Sequence, residues 1–178
     1  MFDPEILMTN GREARAENRL EESRDLFAQA VAECRWVKDN TLLARALKGL
    51  AQAERDLQHP TTALQCYREA AQIYRALDDR LAYAHTIRHS ADVHRGQNTL
   101  PDAARLYEEA LEIYRTHPDA LPLDHANALR GFALLQDAAG HPEEALFLWQ
   151  GASHLYSAAG VQAGFAEAEQ HIAFLLGR

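Results

Sequence analysis

The stretch Ala63-Leu64-Gln65-Cys66-Tyr67-Arg68-Glu69-Ala70, with Tyr74 beyond it, returns as Ala103-Ala104-Arg105-Leu106-Tyr107-Glu108-Glu109-Ala110 with Tyr114. It returns again as Ala145-Leu146-Phe147-Leu148-Trp149-Gln150-Gly151-Ala152 with Tyr156. An earlier copy survives in Ser23, Phe27, Ala30 and Cys34, so the ring sits at 27, 67, 107 and 149, in steps of 40, 40 and 42 residues. A motif that recurs at one period is the mark of a repeat architecture. Within each copy the small residue, the ring, the alanine and the second ring or thiol are spaced four, three and four apart, which keeps them on one face of a helix. That face is a packing stripe.

Pro60, Pro101 and Pro142 stand just ahead of three of these segments. A missing N–H costs nothing in the first helical turn and the fixed φ suits it, so these prolines mark helix starts. Upstream of each stripe lies another helical segment carrying a small residue, Gly11, Ala51, Ala91 or Ala133, four residues after Leu7, Leu47, Ile87 or Leu129. The unit is helix, short turn, helix. The pattern predicts repeats over 3–36, 41–77, 81–116 and 121–158, with a terminal helix at 161–176 that aligns Ala173 with Ala133. The expected fold is all-α, a right-handed α-solenoid of about four helix-turn-helix repeats plus a C-terminal helix, spanning 1–178 as one domain.

Composition agrees. At 178 residues the chain can bury one sizeable core but not two large ones, and Ala, Leu, Glu and Arg fill most positions. Cys34 and Cys66 form neither a CxxC pair nor a disulfide framework. The start Met1-Phe2-Asp3-Pro4-Glu5 is acidic where a secretory leader is basic, and no apolar run approaches the ~20 residues that cross a bilayer. A cytoplasmic protein without a membrane partner is expected. The net charge of -8 disfavours nucleic acid, whose phosphates demand basic surface.

The repeat resembles the tetratricopeptide repeat family, which keeps a Trp, a Leu-Gly pair and a Tyr in its first helix, then Ala and an aromatic in its second. Here the tryptophan position holds Leu7, Leu47, Ile87 or Leu129, the glycine persists as Gly11, and the tyrosine position holds Ala14, Glu54, His94 or Gln136. The period also exceeds the family's usual 34 residues, which points to a long-repeat variety. The resemblance implies a concave groove lined by first helices, holding a protein or peptide. Certain members grip a peptide carboxylate there with a clamp of Lys, Asn and Arg. The matching positions here hold Met8, Arg12, Gly49, His85 and His89, so that clamp is not reproduced.

Two basic columns run along the first helices: Lys48, Arg88 and Arg130 at one position, Arg15, Arg55 and Arg95 at another. Arg12, Arg45, His85 and His89 belong to the same surface. Seven residues is two turns, so both columns share a face. One reading makes Arg12, Arg15, Arg45, Lys48, Arg55, His85, Arg88, Arg95 and Arg130 the wall of a groove for an acidic partner. The other makes them solvated ion pairs with Asp56 and Asp92, worth about 0–1 kcal/mol each.

No phosphate-binding loop, zinc-hydrolase or nucleophile-elbow motif occurs, so neither an enzyme nor a cofactor is expected. His85 and His89 stand at metal-ligand spacing, but polar groove histidines are the commoner outcome and no metal site is assigned. Arg35, Arg75 and Arg115 recur near the ends of second helices, where cations meet the helix dipole. In the last helix Phe165, Ile172, Phe174, Leu175 and Leu176 spread beyond one stripe and mark a possible homo-oligomer contact, the basis of an alternative reading as a structural adaptor.

Overall fold

The computed structural model describes residues 2–177. Among these, the helices are α1 (Pro4–Ala16), α2 (Leu20–Val37), α3 (Asn40–Asp56), α4 (Pro60–Ala76), α5 (Arg80–Gly96), α6 (Leu100–Thr116), α7 (Pro122–Ala138), α8 (Pro142–Ala158) and α9 (Gln162–Leu176). No described residue is in a strand. Pro60 and Pro142 open α4 and α8, Pro101 follows the first residue of α6, and Pro4 and Pro122 open α1 and α7 as well. Asp3, Asp39 and Asp79 each accept a backbone N–H at the start of α1, α3 and α5, at 2.8–2.9 Å, satisfying donors that the helix itself cannot.

The turns keep their own period. Asn18, Lys38, Gln58, Asp78 and Asn98 all hold φ of 56–62°, and Gly140 and Gly160 hold 82° and 71°. The left-handed residue therefore recurs every twenty residues through 98 and closes each helix. At the next step stands Pro118, whose ring forbids positive φ. There His117 is extended (φ −87°, ψ 124°) and the α6–α7 connection is longer, which accounts for the 42-residue step.

The chain divides into two compact units, Met1–Val93 and His94–Arg178, with the boundary inside α5. In the first unit, the Phe27 ring lies over two glycines on first helices. A β-carbon added to Gly11 would lie 2.9 Å from it, and one added to Gly49 only 2.1 Å. Ser23 replaces the usual alanine and donates its hydroxyl to the Gly11 carbonyl at 2.8 Å, so the buried oxygen is satisfied. Ala51, Ala63, Tyr67 and Val93 form a continuous buried cluster.

In the second unit, Tyr107 sits where a Gly131 β-carbon would be, 2.7 Å away, and stacks on Phe132 with centroids 5.8 Å apart. Trp149 lies flat on His171 at 4.2 Å with the planes 7° apart. Tyr156 occupies the space above Gly164 and donates its hydroxyl to Asn127 Oδ1 at 2.8 Å. The ring column expected from the sequence is buried throughout, with Tyr67, Tyr107 and Trp149 fully enclosed. Each second-helix ring meets a fixed position on a following first helix, Gly49, His89, Gly131 or His171. Glycine and histidine alternate there.

Candidate functional site

The first unit gathers a chain of polar side chains from α1, α3 and α5. Arg15 in the last turn of α1 donates through Nε to Asp56 Oδ2 at 2.6 Å. Arg55 donates from Nη2 to the other oxygen of that carboxylate at 3.0 Å and reaches His89 Nδ1 at 3.4 Å. Arg88 contacts His89 Nε2 at 2.9 Å and donates to Asp92 Oδ2 at 3.0 Å. Gln52 closes on His89 from α3 at 3.5 Å. Beneath them Tyr67 stacks on His89, centroids 6.0 Å apart and planes 9° from parallel, and its hydroxyl is buried without a hydrogen-bond partner.

The electrostatics follow from burial. Removal from water pushes the Tyr67 phenol up, although Arg55, Arg88 and Arg15 pull against it. His89 falls to about 4, chiefly through burial and then through the Arg88 and Arg55 charges, with Asp92 opposing. His85, edge-on to His89 at 4.7 Å, is lowered by burial, by His89 and by Lys48. Both imidazoles are therefore neutral near pH 7.

A cavity of about 590 Å³ opens beside this chain, lined by Arg12, Arg15, Phe27, Gln52, Asp56 and Gln58 among others. That volume is ordinary for a ligand pocket. Arg12 is exposed and donates to Thr9 Oγ1 at 3.0 Å. Among the remaining expected groove residues, Lys48 acts on this network through its charge on His85. Arg45 pairs with Glu5 at 3.1 Å on the exposed surface. Lys48 stands over the Tyr74 ring, 5.9 Å from its centroid. Arg95, in the last turn of α5, is half-buried with Nε unpartnered. Arg130, in the second unit, makes two bonds of 2.6 and 2.7 Å to Glu167 of α9.

The ladder is thus neither free cations nor isolated surface pairs. Its centre is a shared network in which Asp56, 41 residues from Arg15, joins two helices. Asp56 and Asp92 were visible as neighbours of arginines along the chain; Gln52 and the ring beneath His89 carried no such signal. Arg35 pairs with Glu69, Arg115 with Glu112, and Arg75 bonds the Tyr83 hydroxyl and covers its ring at 4.7 Å. Each cation does structural work at the end of a second helix.

On α9 one expectation is corrected. Leu175 is buried, because it stands seven residues, two turns, after buried Ala168 on the face that packs inward. It is unavailable to another chain. Phe165 and Ile172 are half-buried, while Phe174 and Leu176 are 57% and 67% exposed. Among the described residues no cluster of three or more His, Cys, Asp or Glu could hold a metal, and no helix is long and apolar enough to cross a membrane. Burial raises both thiols, Cys66 to about 11, so neither is a ready nucleophile.

Residues 42–116 match the tetratricopeptide repeat family model. The helix pairs α3–α4 and α5–α6 are tetratricopeptide repeats. Among solved structures, BtubC (BKLC) from P. vanneervenii is similar with a TM-score of 0.79 and 18% identity, over 90% of this chain and 67% of that one. A putative kinesin light chain with nearly identical TPR-like repeats from Podosopora anserina is similar with a TM-score of 0.72 and 14% identity, over 99% and 97% of the two chains. A single-substitution form of that protein gives 0.78 and 15%, over 98% and 87%. At these identities the likeness establishes the fold, a TPR-like solenoid. No curated protein matches this chain. Tetratricopeptide repeats generally mediate protein–protein interaction or scaffolding.

Proposed function

We propose that this chain is a protein-interaction scaffold whose first unit binds a carboxylate-bearing segment of a partner, along the face formed by Arg12, Arg15, Arg55 and Arg88. One observation carries the reading. Arg15 and Arg55 share the single carboxylate of Asp56 at the edge of an open cavity that Arg12 also lines. Each guanidinium has roughly five N–H donors and one carboxylate accepts only part of that number. Donors are left for a second carboxylate, which arginine can hold bidentately. Gln52 and Gln58 supply neutral hydrogen-bonding groups for a peptide backbone on the same cavity wall. Asp56 and Asp92 keep the arginines oriented, and they set a requirement on the ligand, whose acids must fall between those two carboxylates. Specificity would come from that alternation of sign rather than from bulk positive charge.

The test is binding of peptides that differ in Asp/Glu content and in free or amidated carboxyl ends, at two salt concentrations. Acidic peptides should bind and weaken with salt, and Arg12→Glu with Arg55→Gln should lower affinity about tenfold or more, the scale of one lost charge-assisted bond. Equal binding of neutral and acidic peptides, or indifference to both substitutions in a folded variant, would remove this assignment.

A further inference from the structure

The second unit carries a surface of the opposite character. On α6, α7 and α8 a groove of about 490 Å³ is floored by Phe132 and Leu148 and walled by Phe147, with Glu108, Glu143 and Glu144 on its rim. Phe147 is 75% exposed, although its helix buries Leu148 and Trp149 directly after it. A large apolar ring in water at the edge of a concave, partly apolar surface is the composition of a binding groove. The floor is held in place from below, since Phe132 stacks on fully buried Tyr107.

The rim sets the partner's charge. Glu108, Glu143 and Glu144 form no ion pair among the described residues, whereas Arg105 and Arg115 on the same α6 pair with Glu109 and Glu112 instead. Glu143 and Glu144 also suit the first turn of α8, where acids meet the positive end of the helix dipole. That accounts for two glutamates at the helix start; it does not account for Glu108, at the middle of α6, converging on the same rim. Three uncompensated carboxylates around an apolar floor repel an acidic ligand and attract a cationic one.

We infer that this groove docks a basic segment of a partner protein bearing one aromatic or branched aliphatic anchor, which packs on Phe147, Phe132 and Leu148 while its lysines or arginines meet the three glutamates. This site is separate from the arginine network in residues and in sign, and it does not rest on the function proposed for that network. A chain with both would hold two segments of opposite charge.

The 178-residue chain should be titrated with a fluorescent peptide carrying a Phe-Leu pair flanked by lysines and arginines, beside two controls: an acidic peptide with the same Phe-Leu pair, and the basic peptide with both apolar residues replaced by serine. The basic apolar peptide should bind at least about tenfold more tightly than either control. Phe147→Ala should weaken it about tenfold, a ring truncation at an exposed position that leaves the core intact, and Glu143→Gln/Glu144→Gln should flatten its salt dependence. Arg55→Gln should leave it unchanged, so that failure here and failure of the arginine site read out separately. The inference is overturned if the serine control binds equally, if Phe147→Ala has no effect, or if nothing binds at about 1 mM peptide, the weak end of measurable affinity. It is also overturned if the chain self-associates and Trp36→Ala abolishes both assembly and occupancy of the groove, since the occupant would then be the Arg35-Trp36-Val37-Lys38 corner of a second copy, whose Trp36 is 74% exposed.

Discussion

His89 shows how one residue serves both core and groove. Its ring takes the stacking load of Tyr67 in the column where Phe27 and Tyr107 have a glycine beneath them, and its nitrogens face Arg55, Arg88, Gln52 and Asp92. Both His85 and His89 are held below their ordinary value of 6.5. An unfolded chain would protonate them near 6.5, so as pH falls below that value the unfolded state takes up protons that the folded state refuses. Stability rises with pH wherever the unfolded state binds more protons, so the contribution is present above pH 6.5 and is lost on acidification toward about 4. We expect denaturant unfolding to show stability falling between about pH 6.5 and 5 by up to about 1.4 kcal/mol per pH unit for each histidine. In His85→Gln/His89→Gln this slope should largely vanish. A wild-type chain equally stable across that window would contradict the buried neutral pair.

At the scale of the element, the helix–turn–helix units were legible from the ring column and the prolines, because both obey local rules that tertiary contacts did not override. The turn conformations were legible only in part. Lys38 and Gln58 hold positive φ, and nothing in those residue types announces a left-handed cap in the way Asn18, Asp78, Asn98, Gly140 and Gly160 do. The arginine columns were legible as a pattern, but the bonds that decide their chemistry cross between helices, with Arg15 and Asp56 41 residues apart. Phe147 was legible as a surface residue from the repeat itself: it stands two residues after Ala145, across the helix from the packing stripe, where the other copies carry exposed Gln65 and Arg105. The turn offers a direct measurement. A side chain with a β-carbon costs roughly 1 kcal/mol in the left-handed region, which glycine avoids. Gln58 makes only a long 3.5 Å contact to the Arg55 carbonyl. Gln58→Gly should therefore raise stability by about 0.5–1 kcal/mol in thermal or denaturant unfolding, the gain being reduced by glycine's larger unfolded-state entropy. A loss of stability would mean that the Gln58 side chain contributes more than its geometry indicates.

Across the whole molecule, the same arrangement of ring, small residue and left-handed turn is built again and again, so each helix is stabilised chiefly by the elements next to it. Such a chain need not unfold all at once. Trp149 tests this, being fully buried between α8 and the His171 ring of α9. Truncation of a buried tryptophan costs about 3–5 kcal/mol, and in a repeat protein the cost falls on the nearest elements. In Trp149→Ala, amide hydrogen exchange should accelerate at least about a hundredfold in α8 and α9, since each ~1.4 kcal/mol is a factor of ten. Amides in α1 to α4 should exchange at the wild-type rate. Equal acceleration everywhere would instead mean that the chain folds as one cooperative body.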